Sequence, residues 1–370
     1  MKKTVKAIGG VIITVAVILS GYMFTGCEKS EMPAAKKETV KIGMVLPLTG
    51  GIAFIGVGMR NAAILAKEHL GDTKYNYEIL FEDDQYNPKL TASAANKFIN
   101  VDKVDAIVSC EASPGQVVSA LARKNEIIHF GLTAVSSVAE GDNNFVHWTP
   151  AKEQARVLVK ELKKQGIKTM GIFRSVSLQD WTAYVDAVRE LSKDAGIKIV
   201  TEHSFQDSQK DFRSMIAKAK QTNPDIYFLV VPTPAIELLV KQIREAGIKT
   251  PLTSIESFEV TETPELFEGY YYVSSSEPTS GFRSAYEAKF NESPPICSAN
   301  SYDMINLIVT AIESIDSPAK PTTTEISRAL KNIRNFPGAL GPLSVGDDGI
   351  VISSAQLKTI KDGKPTPVGH

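Results

Sequence analysis

Gln165-Gly166-Ile167-Lys168-Thr169-Met170-Gly171-Ile172-Phe173 reads as a helix end followed at once by a strand, and the device returns as Ala195-Gly196-Ile197-Lys198 and Ala246-Gly247-Ile248-Lys249. Each time a glycine able to take positive φ stops a helix, and Ile-Lys opens the next apolar run. Residues 169–173, 198–202 and 226–231 therefore read as strands, and 180–195, 211–221 and 235–246 as helices. Toward the N-terminus the same cycle runs through strands at 40–46, 77–81, 106–109, 127–131 and 145–148, with helical patterns at 59–70, 88–99, 114–124 and 151–165. Ala62, Leu65, Ala66 and Leu70, for example, recur at helical spacing. Such βα units build parallel sheets covered by helices on both faces. The expected fold class is α/β, with two doubly wound parallel-sheet lobes in place of one long sheet. Late helical patterns at 282–290, 301–314 and 324–333 predict that the chain returns to the first lobe. Asp347-Asp348-Gly349 and Lys361-Asp362-Gly363-Lys364 read as tight turns between short strands.

Lys2, Lys3 and Lys6 precede an apolar run from Ala7 to Phe24 that ends in the small residues Thr25 and Gly26, the layout of an export signal. Phe24-Thr25-Gly26-Cys27 resembles a bacterial lipobox, with Phe24 where Leu is usual. The resemblance implies a diacylglyceryl group on the Cys27 thiol and cleavage that leaves Cys27 as the new N-terminus. An uncleaved anchor is the alternative, since about 20 apolar residues span a bilayer. Both readings place the remainder outside the cytoplasm and hold it at a membrane. The charged and small residues that follow Cys27 predict a flexible tether with a reach of about 20 Å. Two acyl chains on one cysteine suffice for stable anchoring. The domain plan is a signal peptide at 1–26, a tether at 27–39, a first lobe from 40–149 and 276–352, and a second from 150–275 and 353–370.

Loss of residues 1–26 removes three lysines and no acid, so the formal charge moves from −1 to −4, which argues against nucleic acid as a partner. His69, His129, His147, His203 and His370 are scattered without metal-ligand spacing. Gly56-Val57-Gly58 lacks the third glycine of a dinucleotide loop, because position 61 is Asn. With no Gly-x-Ser-x-Gly elbow or phosphate loop either, no catalytic residue, metal or cofactor is expected, and the chain does not read as an enzyme. Cys110 and Cys297 are left as either a disulfide or two buried thiols.

Ile42-Gly43-Met44-Val45-Leu46-Pro47-Leu48-Thr49-Gly50, Glu82-Asp83-Asp84 with Asn87-Pro88-Lys89, Gln209-Lys210-Asp211-Phe212, Asn223-Pro224-Asp225, Ala299-Asn300-Ser301-Tyr302-Asp303 and Gly341-Pro342-Leu343 fall in one order along the chain. By these strings it resembles the leucine/isoleucine/valine-binding family of type I periplasmic binding proteins, from Val40 to about Ile360. The resemblance implies two lobes joined by three crossovers. It also implies a small ligand trapped in the cleft and passed to the permease of an ABC transporter. The ligand class it suggests is an amino acid or related small carboxylate; a ligand-sensing receptor domain is the alternative.

In doubly wound sheets ligands collect at the carboxyl ends of the strands, where helix N-termini present free N–H groups. Ser113 and Pro114 suit the N-cap and first helical position after the strand at 106–109, so Ser113 and nearby backbone donors are expected to meet a ligand carboxylate. Arg174, at another strand end, is placed to clamp an acidic group. The family resemblance adds Thr133, Ala134 and Ser136 in Gly131-Leu132-Thr133-Ala134-Val135-Ser136, Phe54 beside Ile55-Gly56, and Trp181 as a stacking aromatic. It also adds Glu256, matching a family acid that binds a ligand ammonium. Tyr302 and Asp303 read as helix capping and packing, and Asp83 and Asp84 as caps of the following helix with Asn87 and Pro88.

Overall fold

A computed structural model of the chain describes residues 37–368 other than Leu178 and Glu262. The expected signal, the Cys27 lipidation site and most of the tether lie outside the described residues. The first half alternates as β1 (Thr39–Leu46), α1 (Ala53–Glu68), β2 (Asn76–Asp83), α2 (Pro88–Lys97), β3 (Ala106–Cys110), α3 (Ala112–Asn125), β4 (Ile128–Leu132) and β5 (Asn144–Val146). These strands form one parallel sheet in the order β2-β1-β3-β4-β5. The second series is α4 (Ala151–Lys164), β6 (Thr169–Ser175), α5 (Gln179–Asp194), β7 (Lys198–Phe205), α6 (Arg213–Thr222), β8 (Ile226–Val230), α7 (Ala235–Glu245), β9 (Leu252–Ser254) and β10 (Tyr271–Ser275). Its parallel sheet has the order β7-β6-β8-β9.

Gly166, Gly196 and Gly247 have φ of 77°, 75° and 70° and each ends a helix; β6 and β7 follow at once, but Ile248-Lys249 lie outside any strand and β9 begins at Leu252. Both sheets are apolar on both faces, as covered parallel sheets must be. Ile42, Met44, Val108 and Phe130 enter the main core with α1, whereas Val45 and Ile107 pack on the opposite side with Phe98 and Val118. In the second sheet Ile172 and Phe228 face the main core, and Phe173, Tyr227 and Leu229 face the core shared with Ile216, Leu239 and Val240.

The chain then returns through α8 (Ser280–Phe290), α9 (Ser298–Ser314), α10 (Thr323–Lys331), β11 (Phe336–Gly338), β12 (Gly341–Val345) and β13 (Val351–Ile352). A bridge from Val146 to Ile350 ties this return to β5. It ends in β14 (Ala355–Lys361), antiparallel to β10 beside the second sheet, and β15 (Lys364–Pro367), antiparallel to β14. The two sheets are thus linked by three crossovers, following β5, β10 and β13. These segments are bonded to one another: Thr149 Oγ1 lies 3.0 Å from Ser353 Oγ, and Ser276 N and Oγ donate to the Ser354 carbonyl at 3.1 and 3.0 Å. Cys110 and Cys297 are free, buried thiols.

Tyr302 and Asp303 are structural. Asp303 is buried and accepts from Ala339 N and Leu340 N, and the Tyr302 hydroxyl lies 2.9 Å from His69 Nδ1. Asn87 caps α2, accepting from Lys89 N, with Pro88 at the first helical position; Asp84 accepts from Thr91 Oγ1 at 2.8 Å. Among the described residues no helix is long and apolar enough to cross a membrane.

Candidate functional site

The carboxyl ends of the two parallel sheets enclose a cavity of about 210 Å³. Its walls follow the strand ends in turn. Phe54 and Ile55 come from the start of α1, Tyr86 from beyond β2, Glu111 from beyond β3, Thr133 and Ala134 from beyond β4, and Trp148 from beyond β5. From the second sheet come Asp180, Trp181 and Tyr184 at the start of α5, Thr233 after β8, and Glu256 and Val260 after β9. Ile296 and Cys297 complete it from the entrance to α9. That entrance sits close because α1 is bare at Gly58, where a Cβ would lie 2.7 Å from Ser298 Oγ. Drug-sized ligands occupy pockets of about 300–1,000 Å³, so this one suits a smaller solute.

Three lining carboxylates, Glu111, Asp180 and Glu256, dominate the electrostatics. Among the described residues that line the cavity there is no Lys, Arg or His. Glu256 is buried; its Oε1 accepts from Gln154 Nε2 at 2.6 Å and its Oε2 from the Tyr184 hydroxyl at 3.1 Å, which itself accepts from Trp148 Nε1 at 2.6 Å. Burial pushes the Glu256 carboxyl up to about 8 against the opposing effect of these bonds. Burial, and then Asp180, hold the Glu111 carboxyl well above the usual carboxylate range. Backbone strain marks the same residues. Glu111 has φ 70° and ψ 163°, a region almost confined to glycine, and Glu256 has φ 61°.

Asp180 is buried and crosses the cavity. Its Oδ2 accepts from Ala112 N, the first N–H of α3, at 3.1 Å; its Oδ1 accepts from Ala134 N at 2.7 Å and from Thr133 Oγ1. A helix N-terminus and two loop donors of the first sheet thus hold a carboxylate from the second, the arrangement helix dipoles favour. The sequence reading left Asp180 unassigned. An acid in the first turn of a helix reads as an ordinary dipole partner, and its acceptor geometry depends on donors 46 to 68 positions away.

Of the residues expected at the site, Phe54, Thr133, Ala134, Trp181 and Glu256 line the cavity; Ser113, Ser136 and Arg174 do not. Helix α3 starts two residues before the expected Pro114, with Glu111 at the N-cap and no side-chain cap, so Ser113 falls inside the first turn. The Ala112 N–H stands where the Ser113 hydroxyl was expected. Ser136 opens a short 3-10 turn, Ser136–Ala139, beyond the cavity wall. Arg174 pairs with Ser204 in the β6–β7 ladder; its Nε donates to Ser204 Oγ at 3.2 Å and lies 3.4 Å from Glu202, so the side chain runs along β7 and not into the cleft.

A model of the periplasmic binding protein family matches residues 39–364. The chain belongs to the leucine/isoleucine/valine-binding family of type I periplasmic binding proteins. A relative, the Leu/Ile/Val-binding protein BraC3 of Rhizobium johnstonii, is 23% identical over 85% of this chain and 90% of its own length. The leucine binding protein LivK of Thermotoga maritima shares the fold with a TM-score of 0.79 at 22% identity, covering 89% of this chain and 98% of that one. A solute binding protein of an ABC transporter from Rhodopseudomonas palustris, solved with 3,4-dihydroxy benzoic acid, matches with a TM-score of 0.77 at 21% identity, covering 89% and 96%. Like the rest of this binding-protein family, the chain is a solute-binding protein, and the cavity lies where doubly wound sheets bind their ligands.

Proposed function

We propose that this chain is the extracytoplasmic solute-binding component of an ABC importer, held at a membrane through a lipidated Cys27. In this reading it captures an amino-acid-sized solute bearing a protonated nitrogen, and the solute favours closure because it touches both sheets at once. One observation carries the reading: a small cavity at the strand ends of both sheets, in which a buried and strained Glu256 presents a carboxylate beside aromatic rings. The export-signal pattern before Cys27 and the names of the curated relatives support the importer role. The solute nitrogen meets Glu256 in a desolvated site, where an ion pair is stronger than in water.

The test is a thermal-shift screen of amino acids, amines and small carboxylic acids, followed by X-ray scattering with any solute that responds. A solute at 100 times its dissociation constant stabilises the protein by about 2.7 kcal/mol, and the particle is expected to contract on binding. Chemical turnover of the captured solute, or binding without contraction, defeats the proposal.

A further inference from the structure

The donors that the first sheet would offer to a ligand's carboxylate are taken. Ala112 N, Thr133 Oγ1 and Ala134 N all donate to Asp180, which reaches across from α5. An incoming carboxylate would have to expel Asp180 and then share the cavity with Glu111, Asp180 and Glu256, with no cation among the described lining residues to offset the repulsion. A protonated nitrogen meets the opposite situation. Glu111 lines the cavity with its backbone held in a conformation that glycine alone adopts freely, and its carboxyl sits against another acid, Asp180, with no basic side chain among the described lining residues.

Resting on the solute-binding reading above, we propose that the solute is a small organic amine with an apolar body and no carboxylate, and that Asp180 is the chain's own occupant of the carboxylate cradle. The ammonium lies between Glu111 and Glu256. Trp148, Trp181, Tyr86 and Tyr184 line the same space with aromatic side chains, which attract a cation where a ring face meets it, and Val260 and Ile296 receive the apolar body. Burial first, and neighbouring acids after it, push the Glu111 and Glu256 carboxyls up, and an ammonium between them opposes both effects. Asp180 adds contacts between the second sheet and the first, so a solute need supply only the cationic contact to favour closure.

The experiment is isothermal titration calorimetry of the purified protein with two matched trios. One is leucine, 3-methylbutylamine and 4-methylpentanoate; the other is phenylalanine, 2-phenylethylamine and 3-phenylpropanoate. In at least one trio the amine is expected to bind about tenfold or more tighter than the amino acid, with no binding of the acid. Amino acid or acid binding at least as tightly as the amine, or silence from all six compounds, overturns the inference and leaves the solute-binding reading to the thermal-shift screen. Asp180→Ala vacates the cradle and is expected to improve amino-acid binding by about tenfold or more, while Glu111→Gln weakens the amine by a similar factor. Unchanged amino-acid affinity in a folded Asp180→Ala protein counts against the inference. Should that variant not fold, the wild-type trios decide.

Discussion

At Glu256 two requirements meet, a carboxylate that is buried and a carboxylate that must be charged to hold a cation. Between the ordinary value of 4.5 and the folded value of about 8, the folded state keeps a proton that the unfolded chain has released. The empty protein therefore loses stability as pH rises through that window and is level above it. The groups facing Glu256 act in known directions: Gln154 on α4 and Tyr184 on α5 favour the ionised form, while Glu259 and Asp180 oppose it. Glu111 is raised as well and adds to the same slope. Urea denaturation at several pH values between 5 and 8.5 should show this decline, and Glu256→Gln should make it shallower, leaving the part due to Glu111; stability that climbs with pH in the wild type would refute the account. Amine affinity runs the other way, rising over the same pH range as the carboxylates ionise. Glu256→Gln should cost an amine solute about 10- to 100-fold in affinity, the worth of a hydrogen bond to a charged group, without lowering the melting temperature of the empty protein.

At the scale of elements, the sequence is legible wherever a local rule operates. The Gly-Ile-Lys junctions place three helix ends and the starts of β6 and β7, because a glycine at positive φ and an apolar run following it are both local facts, whereas after Gly247 the strand β9 begins only at Leu252. Gly196 makes the point quantitatively. At φ 75°, with no atom near a new Cβ, Gly196→Ala should cost about 1–2 kcal/mol in urea denaturation through backbone strain alone. It lies before the amino end of β7, opposite the cleft, so solute affinity should not change; an altered affinity would show that the end of α5 communicates with the cavity. The failures are equally physical. The start of α3 was misplaced because Ser113-Pro114 has the composition of a cap, while the observed N-cap is a strained Glu111 that no propensity favours. Arg174 is at a strand end as expected, but the pairing of β6 with β7 directs it along Glu202 and Ser204. Asp180 was invisible because its role exists only when two sheets face each other. Glu256 and Trp181 reach the cavity as expected, since both stand close behind strands whose ends form its floor.

For the whole molecule, the proposed capture by closure needs halves that move as units about the crossovers, and the chemistry at those crossovers is polar. Lys358 on β14 is almost wholly buried and pairs with Glu259, beyond β9, and with Glu277, on the crossover after β10; Arg283 at the start of α8 holds Glu277 at 2.7 Å. The Thr149–Ser353 and Ser276–Ser354 bonds join the same three crossovers. Removing the cation leaves the partly buried Glu259 with only the Ser274 hydroxyl to hold its charge, so Lys358→Met should destabilise the protein by about 2–4 kcal/mol. The loss should also be uneven, because the cluster joins the halves and does not belong to the core of either. The two tryptophans of the chain, Trp148 and Trp181, both line the cavity, so intrinsic fluorescence reports on the cleft while far-ultraviolet circular dichroism reports on all the helices and strands. In the wild type the two signals should follow one urea transition. In Lys358→Met the fluorescence midpoint should fall below the dichroism midpoint as the cleft opens before the sheets unfold. Coincident midpoints in the variant would mean that the cluster stabilises one half only and takes no part in holding the two together.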